Sequence, residues 1–346
     1  MKKVLKRLAI VLVGLFLAVL SVEGLTRVFD PFGVSHFINM KRYRHDLCEV
    51  RLDSDRLFVH RPNEHMELDG WEIRTDSNGL RGPEREIPKP AGTRRLMFVG
   101  DSVTFGWGVE LEDTFVHMIE EELNENSDGV IETINAGHLF HDSTQERGVV
   151  EEVGLSYEPD VVFLVFVAND THPTAQMMKP ASKRPVKFTD EDLKELERRA
   201  AVLAQLRKLN ETLPYTHRLL SFMYTSYSNA QFKKKPGNED RDPYLLDRAG
   251  IDMDMGWQLS RQAMLEMHEM VTASGAVFVV LDITKHPKVE EFCGENSLLY
   301  ARITHGEDEM EDIRNSLADP HANRNGHRQY ADKILKVIEE LELAGN

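Results

Sequence analysis

Cysteine is scarce in this chain: two in 346 residues, Cys48 and Cys293. Two cysteines cannot build a disulfide scaffold or a cysteine zinc site, and spacing alone does not bring them together. They are expected to be independent thiols, with a single bridge as the alternative if the domain is exported. Positive charge is also short. The 42 Lys and Arg stand against 58 Asp and Glu, a net charge of −16. That balance argues against binding to a nucleic-acid backbone, which needs basic clusters, and against general docking on an anionic membrane surface. It favours simple solubility. There is no internal repeat and no long low-complexity tract. Long unbroken apolar runs are missing too, with one exception from Leu8 to Val22, behind Lys2, Lys3, Lys6 and Arg7. A basic flank followed by an apolar stretch reads as a secretory signal or a signal anchor. The run stops before Glu23, a little short of the ~20 residues that a span prefers. Ser21-Val22-Glu23 is a poor cleavage site, and no cysteine lies nearby for lipid attachment. Residues 1–22 are therefore expected to be an uncleaved anchor, basic end inside and the bulk of the chain outside the cytoplasm. A cleaved signal peptide is the alternative.

The apolar fraction of 41 % supports a sizeable core. Residues 23–90 are mixed, with β-like pieces such as Trp71-Glu72-Ile73-Arg74 and turn signals at Asn78-Gly79 and Arg81-Gly82-Pro83. This connector is either a stalk or a small sheet packed on the body. Pro88-Lys89-Pro90-Ala91-Gly92 marks a boundary, and 91–346 reads as the main domain. Strand-like runs fall at 94–100, 130–135, 160–168 and 276–283. Helical runs fall near 112–125, 143–156, 190–209, 256–274 and 325–342. The run Asp160 to Val167 is apolar on both faces, as a central parallel strand must be. This alternation predicts an α/β fold with a doubly wound, mostly parallel sheet.

The stretch 171–255 interrupts that rhythm and reads as a helical insertion, either a lid or a packing elaboration. Thr189 is its expected helix cap, with Phe188 stapled against Leu193. Leu193, Leu196, Ala200, Leu203 and Leu206 mark one apolar face. The methionines Met253, Met255, Met264, Met267 and Met270 read as core filling.

Four short segments carry chemistry. Gly100-Asp101-Ser102 follows the first core strand, and a serine there becomes a nucleophile once a base is found. Ile134-Asn135-Ala136-Gly137-His138-Leu139-Phe140-His141-Asp142 follows the second strand and could aim backbone N–H groups at an oxyanion. Val167-Ala168-Asn169-Asp170-Thr171 offers the Asn169 amide as an oxyanion donor. Asp319-Pro320-His321-Ala322-Asn323-Arg324-Asn325-Gly326-His327 offers a histidine base with a carboxylate two residues away.

Over roughly residues 75–340 this set resembles the SGNH/GDSL hydrolases. Gly100-Asp101-Ser102 matches the nucleophile block and Asn169-Asp170 the Asn block. His321, with Asn323, Gly326 and His327 behind it, is similar to the closing block. Asn78-Gly79-Leu80-Arg81-Gly82, Phe105-Gly106-Trp107-Gly108 and the anchor resemble a membrane-anchored bacterial branch. The resemblance implies a flavodoxin-like three-layer α/β/α fold. It also implies Ser102 as nucleophile, His321 as base and Asp319 as its orienting partner. Oxyanion donors would be the Ser102 N–H and the Asn169 side chain, with the Gly137 or Phe140 backbone as a third.

The chain departs from the family pattern in three places. Related sequences carry a second glycine where Phe140 stands, and a β-carbon restricts how that N–H is presented. Ala322 stands where proline is usual, which loosens the loop. Many members separate the Asp and His by three residues rather than two.

The leading reading is an extracytoplasmic serine esterase with no cofactor. It would act on small acyl esters, acetyl on an envelope or exported polysaccharide among them. With a sugar hydroxyl as acceptor the same site would be an O-acyltransferase. A catalytically weakened module that binds glycans or proteins is a second reading, motivated by Phe140. A metal-dependent hydrolase using His138, His141, Asp142, His321 and His327 is a third.

Overall fold

The computed structural model describes residues 2–30, 34–51, 53–125, 129–171, 194, 198, 201–202, 213–233, 253–284, 287–305, 313–315 and 319–344. The chain forms two compact units. One comprises 1–41, 185–250 and 316–319; the other comprises 42–184, 251–315 and 320–346.

In the first unit, helix α1 (Lys2–Phe29) is 28 residues long. At 1.5 Å per residue it measures about 42 Å, against roughly 30 Å for a bilayer's hydrocarbon core. Its stretch from Lys6 to Phe29 contains an 18-residue window of mean hydropathy 2.5 and is long and apolar enough to cross a membrane. The helix does not stop at Glu23. That carboxylate caps a second helix (Pro214–Lys233), accepting hydrogen bonds from the Thr216 N–H at 2.7 Å and the Thr216 hydroxyl at 2.8 Å. A short helix, α2 (Val34–Arg42), follows α1, and its His36 Nδ1 meets the Asp319 carboxylate at 3.0 Å. The expected helix capped by Thr189, with its leucine face, lies outside the described residues.

The second unit is built on a sheet of five parallel strands. They are β5 (Thr93–Gly100), β6 (Val130–Gly137), β7 (Val161–Phe166), β8 (Val277–Asp282) and β9 (Leu299–Arg302), in spatial order β6-β5-β7-β8-β9. Two antiparallel hairpins precede them: β1 (Cys48–Arg51) with β2 (Leu57–His60), and β3 (His65–Leu68) with β4 (Trp71–Arg74). Alternation along the strands sorts side chains into two cores. Met97, Val99, Leu164 and Val280 meet α5 (Ser143–Glu152), the helix Met253–Ala273 and the helix Pro287–Glu295. Leu96, Phe98, Phe163 and Leu281 meet α4 (Phe115–Glu125) and the helix Arg324–Glu340. A sheet with an apolar layer on each face and helices covering both is a three-layer, doubly wound α/β fold. Each fully buried strand residue contributes about 1.5–3 kcal/mol through burial. Met264 and Met267 are core filling, both fully enclosed. Cys48 and Cys293 are separate buried thiols, and burial pushes both up to about 12.

The order β6-β5-β7 has a consequence for ligand placement. The chain leaves β5 to one side first and to the other later, so the crevice between β5 and β7 is the topological switch point. Open α/β sheets bind ligands there, outside the carboxyl ends of the strands.

Candidate active site

Register assembles the site. Gly100 at the tip of β5 pairs with Gly137 at the tip of β6 and with Val165 near the tip of β7. Ser102, the loop 138–141 and Asn169 all lie within a few residues of these tips. Asp101 caps the four-residue helix α3 (Ser102–Phe105) by accepting the Val103 N–H at 2.9 Å, which sets Ser102 as the first residue of that helix. Gly137 is required by close packing, because a β-carbon there would lie 2.2 Å from the Phe105 nitrogen.

His321 arrives from the far end of the chain. Its Nε2 lies 2.9 Å from Ser102 Oγ, within hydrogen-bond reach for proton transfer. The segment carrying it is tied on both sides. The Asn315 N–H donates to the His321 carbonyl at 2.9 Å, and the Asn323 N–H donates to Ile313 at 2.8 Å. Asn323 then caps the helix Arg324–Glu340 through the Asn325 and Gly326 N–H groups. Asn315 Nδ2 also donates to the Trp107 carbonyl at 3.0 Å, tying the His321 segment to the turn that follows Ser102.

The expected oxyanion donors differ in their partners. The Gly137 N–H is committed to Asn135 Oδ1 at 3.1 Å. The Phe140 N–H meets no acceptor among the described residues. Phe140 has φ +67°, the left-handed conformation that a glycine adopts freely and a β-carbon resists by about 1–2 kcal/mol. The side chain therefore occupies a backbone conformation that favours glycine. The Arg44 guanidinium lies 5.9 Å from the Phe140 ring centre. Asn169 sits in a single helical turn after β7; its amide approaches the His141 carbonyl at 3.4 Å and faces the Asp101 carboxyl. Asp319 is buried with its carboxylate on His36, as described above.

The metal-ligand candidates take other partners. His138 and His141 stack face to face, 4.0 Å apart and 2° from parallel, and His60 stacks on His138 at 3.8 Å. Lone pairs in parallel ring planes do not converge on one ion. His60 Nδ1 bonds the Gly79 carbonyl and His141 Nε2 the Phe58 carbonyl. Burial holds His60 down at about 4 and His141 at about 3, so the stack is neutral at ordinary pH. Asp142 caps α5 instead of facing an ion. His327 accepts the Phe115 N–H through Nδ1 at 3.2 Å and is pulled down to about 3 by burial. Cys48, His60 and His138 do bring a sulfur and two nitrogens within 4.8 Å of one another. The Tyr43 hydroxyl holds the ground between the two rings, 2.5 Å from His60 Nε2 and 3.3 Å from His138 Nδ1.

Two buried groups that support the site carry no catalytic signature in the sequence. Tyr43, fully buried in a π-helical turn (Tyr43–Leu47), accepts the Leu139 N–H at 3.3 Å and packs edge-on against Phe105 and Trp107. It thus touches both the turn that follows Ser102 and the loop before Phe140. Arg81, 2 % exposed, donates to the carbonyls of Phe105, Gly106, Val109 and Glu72 and pins that same turn. The Asn78-Gly79 turn signal pointed to its neighbourhood, but nothing in the sequence marks Arg81 as buried.

Fold and site together define a class: a three-layer α/β/α protein with a serine–histidine pair at the sheet's switch point. No family model and no curated protein matches the chain. Solved structures similar to it include lipolytic and esterase proteins. A family 3 carbohydrate esterase of Clostridium thermocellum is 14 % identical, with a TM-score of 0.40, covering 73 % of this chain and 100 % of its own. A psychrotrophic esterase of Pseudoalteromonas sp. is 12 % identical, TM-score 0.39, covering 72 % and 98 %. A GDSL-like lipase of Bacteroides thetaiotaomicron is 11 % identical, TM-score 0.35, covering 72 % and 89 %.

Proposed function

We propose that this protein is a serine esterase of the SGNH/GDSL type, carried by one observation above all: His321 Nε2 stands 2.9 Å from Ser102 Oγ at the end of β5. Ser102 Oγ attacks the ester carbonyl while His321 Nε2 takes its proton. The carbonyl oxygen becomes an oxyanion, met by the Ser102 N–H, the Asn169 amide and the Phe140 N–H. The C–O bond then breaks, and the leaving alcohol takes the proton back from His321. Water repeats the sequence on the acyl-enzyme and releases the carboxylic acid. Asp319 is the carboxylate in this reading, two residues before the base.

The substrate is a small acyl ester, with acetyl groups on an envelope or exported polysaccharide as the first candidates. The apolar helix α1 supports a membrane anchor: Ile10, Leu12, Leu15 and Phe16 are each more than half exposed, a surface that water disfavours. Lys2, Lys3, Lys6 and Arg7 at its start support an orientation with that end in the cytoplasm, by the positive-inside rule. The body of the chain then works outside the cytoplasm.

Hydrolysis of p-nitrophenyl acetate tests the activity. The parent protein should release nitrophenol, and Ser102→Ala should lose at least ~1,000-fold in kcat. Equal rates in parent and variant would refute the esterase.

A further inference from the structure

Beside the Ser102–Asn169 corner lies a group of carboxyls that the reaction above does not use. Glu146 on α5 is fully enclosed, and Asp170, the residue after Asn169, is 2 % exposed. Both oxygens of Glu146 and Oδ1 of Asp170 are buried without a donor among the described residues. The other Asp170 oxygen accepts the Val167 N–H at 2.7 Å. The helix Met253–Ala273 contributes the Ser260 hydroxyl, which donates to the Asp170 carbonyl at 2.6 Å. Asp101, at the start of α3, and Asp142, at the cap of α5, add two more negative groups facing the pair. His321 also lies near enough to Asp101 to act on its charge. No lysine or arginine among the described residues makes an ion pair with Glu146 or Asp170.

An ionised carboxylate only accepts hydrogen bonds. Neighbouring enclosed acceptor atoms with no donor are strongly unfavourable unless one of them carries a proton. Two carboxyls sharing a buried site do not both ionise. Burial and mutual repulsion accordingly hold both groups well above the usual carboxylate range.

We propose that Glu146 and Asp170 share one proton next to Ser102 and Asn169, and that this neutralised pair is a positioning element for the oxyanion side of the site. The catalytic half of the proposal rests on the esterase reading. The turn that carries Asn169 is tied down at Asp170, through Val167, Ser260 and Glu146. Loss of the shared proton would put an additional negative charge in a water-poor space one residue from Asn169. A developing oxyanion there needs donors and positive potential, so ionisation both loosens the turn and opposes the chemistry.

The linkage has a definite sign. In the unfolded chain Glu146 releases its proton near 4.5, and in the folded protein well above that value. Between those two points the folded state binds more protons than the unfolded state, so stability falls as pH rises. Glu146→Gln supplies an N–H donor with no titrating proton and removes that fall. Asp170→Asn does the same from the other side, its amide oxygen still able to accept the Val167 N–H.

The test is thermal unfolding of the full chain in detergent at about pH 5 and about pH 8. The melting temperature of Glu146→Gln relative to the parent should rise between the two pH values, and Asp170→Asn should follow. An offset that is the same at both pH values in both variants overturns the shared proton. So does a stoichiometric divalent cation in the purified parent whose removal by chelation lowers the melting temperature. On p-nitrophenyl acetate, the parent should lose kcat on the alkaline side at steady KM, and Glu146→Gln should keep it. An identical alkaline limb in both overturns the positioning role. A parent inactive at every pH refutes the esterase and the positioning role together, while the unfolding series still decides the shared proton.

Discussion

Phe140 carries a side chain where the backbone asks for none. Its φ of +67° is a conformation that a glycine takes without strain. The ring is accommodated because Arg44 stands over it and because Tyr43 accepts the preceding residue's N–H. Phe140→Gly should therefore relieve about 1 kcal/mol of strain, lose a similar amount to chain entropy, and keep kcat within about 3-fold. Phe140→Val puts a β-branched residue at positive φ and should lower kcat by about 10-fold or more through the displaced N–H. Steady-state kinetics on p-nitrophenyl acetate check both, and a Phe140→Gly variant as impaired as Phe140→Val would show that the loop's backbone shape is not what matters. At this scale the sequence was readable where residues have distinctive chemistry. Ser102 and His321 stood out because four chemically distinctive segments occur together, each weak alone, and the structure brings the two residues together. Glu146, Arg81 and Tyr43 were not legible. Charged and polar residues inside polar stretches look like surface, and only the tertiary packing buries them.

The elements that matter are the tips of β5, β6 and β7, held level by their register. The apolar runs that make these strands, and β8 beside them, were visible in the sequence to within a few residues. Strand β9 was not: Leu299–Arg302 is a four-residue edge strand with half-exposed side chains, too short and too wet to leave a periodic signal. The helix Pro287–Glu295 was missed for a similar reason, being short, with four of its nine residues charged. The turn 105–109 depends on a contact no local pattern reveals, since Arg81 closes it from some 25 residues upstream by donating to three of its carbonyls. Arg81→Ala should leave those buried carbonyls without donors and destabilise the fold by at least ~3 kcal/mol. Chemical denaturation of the parent and the variant measures this, and a loss below about 1 kcal/mol would mean the turn holds itself.

For the molecule as a whole, the acidic balance, the long apolar helix and the doubly wound sheet were all legible, because composition and periodicity report them directly. The joining of chain positions 102 and 321 was expected only from the resemblance of the four segments as a set, because closure over more than two hundred residues is a property of the sheet's topology that no local pattern reports. That closure is the core of the functional account. It is tested most directly by treating the full chain, in membranes or detergent, with a fluorophosphonate and mapping the adduct by mass spectrometry. The account predicts one adduct per chain on Ser102, absent in Ser102→Ala and slowed by ~100-fold or more in His321→Ala. No adduct on the parent protein, or labelling that neither substitution affects, would contradict it.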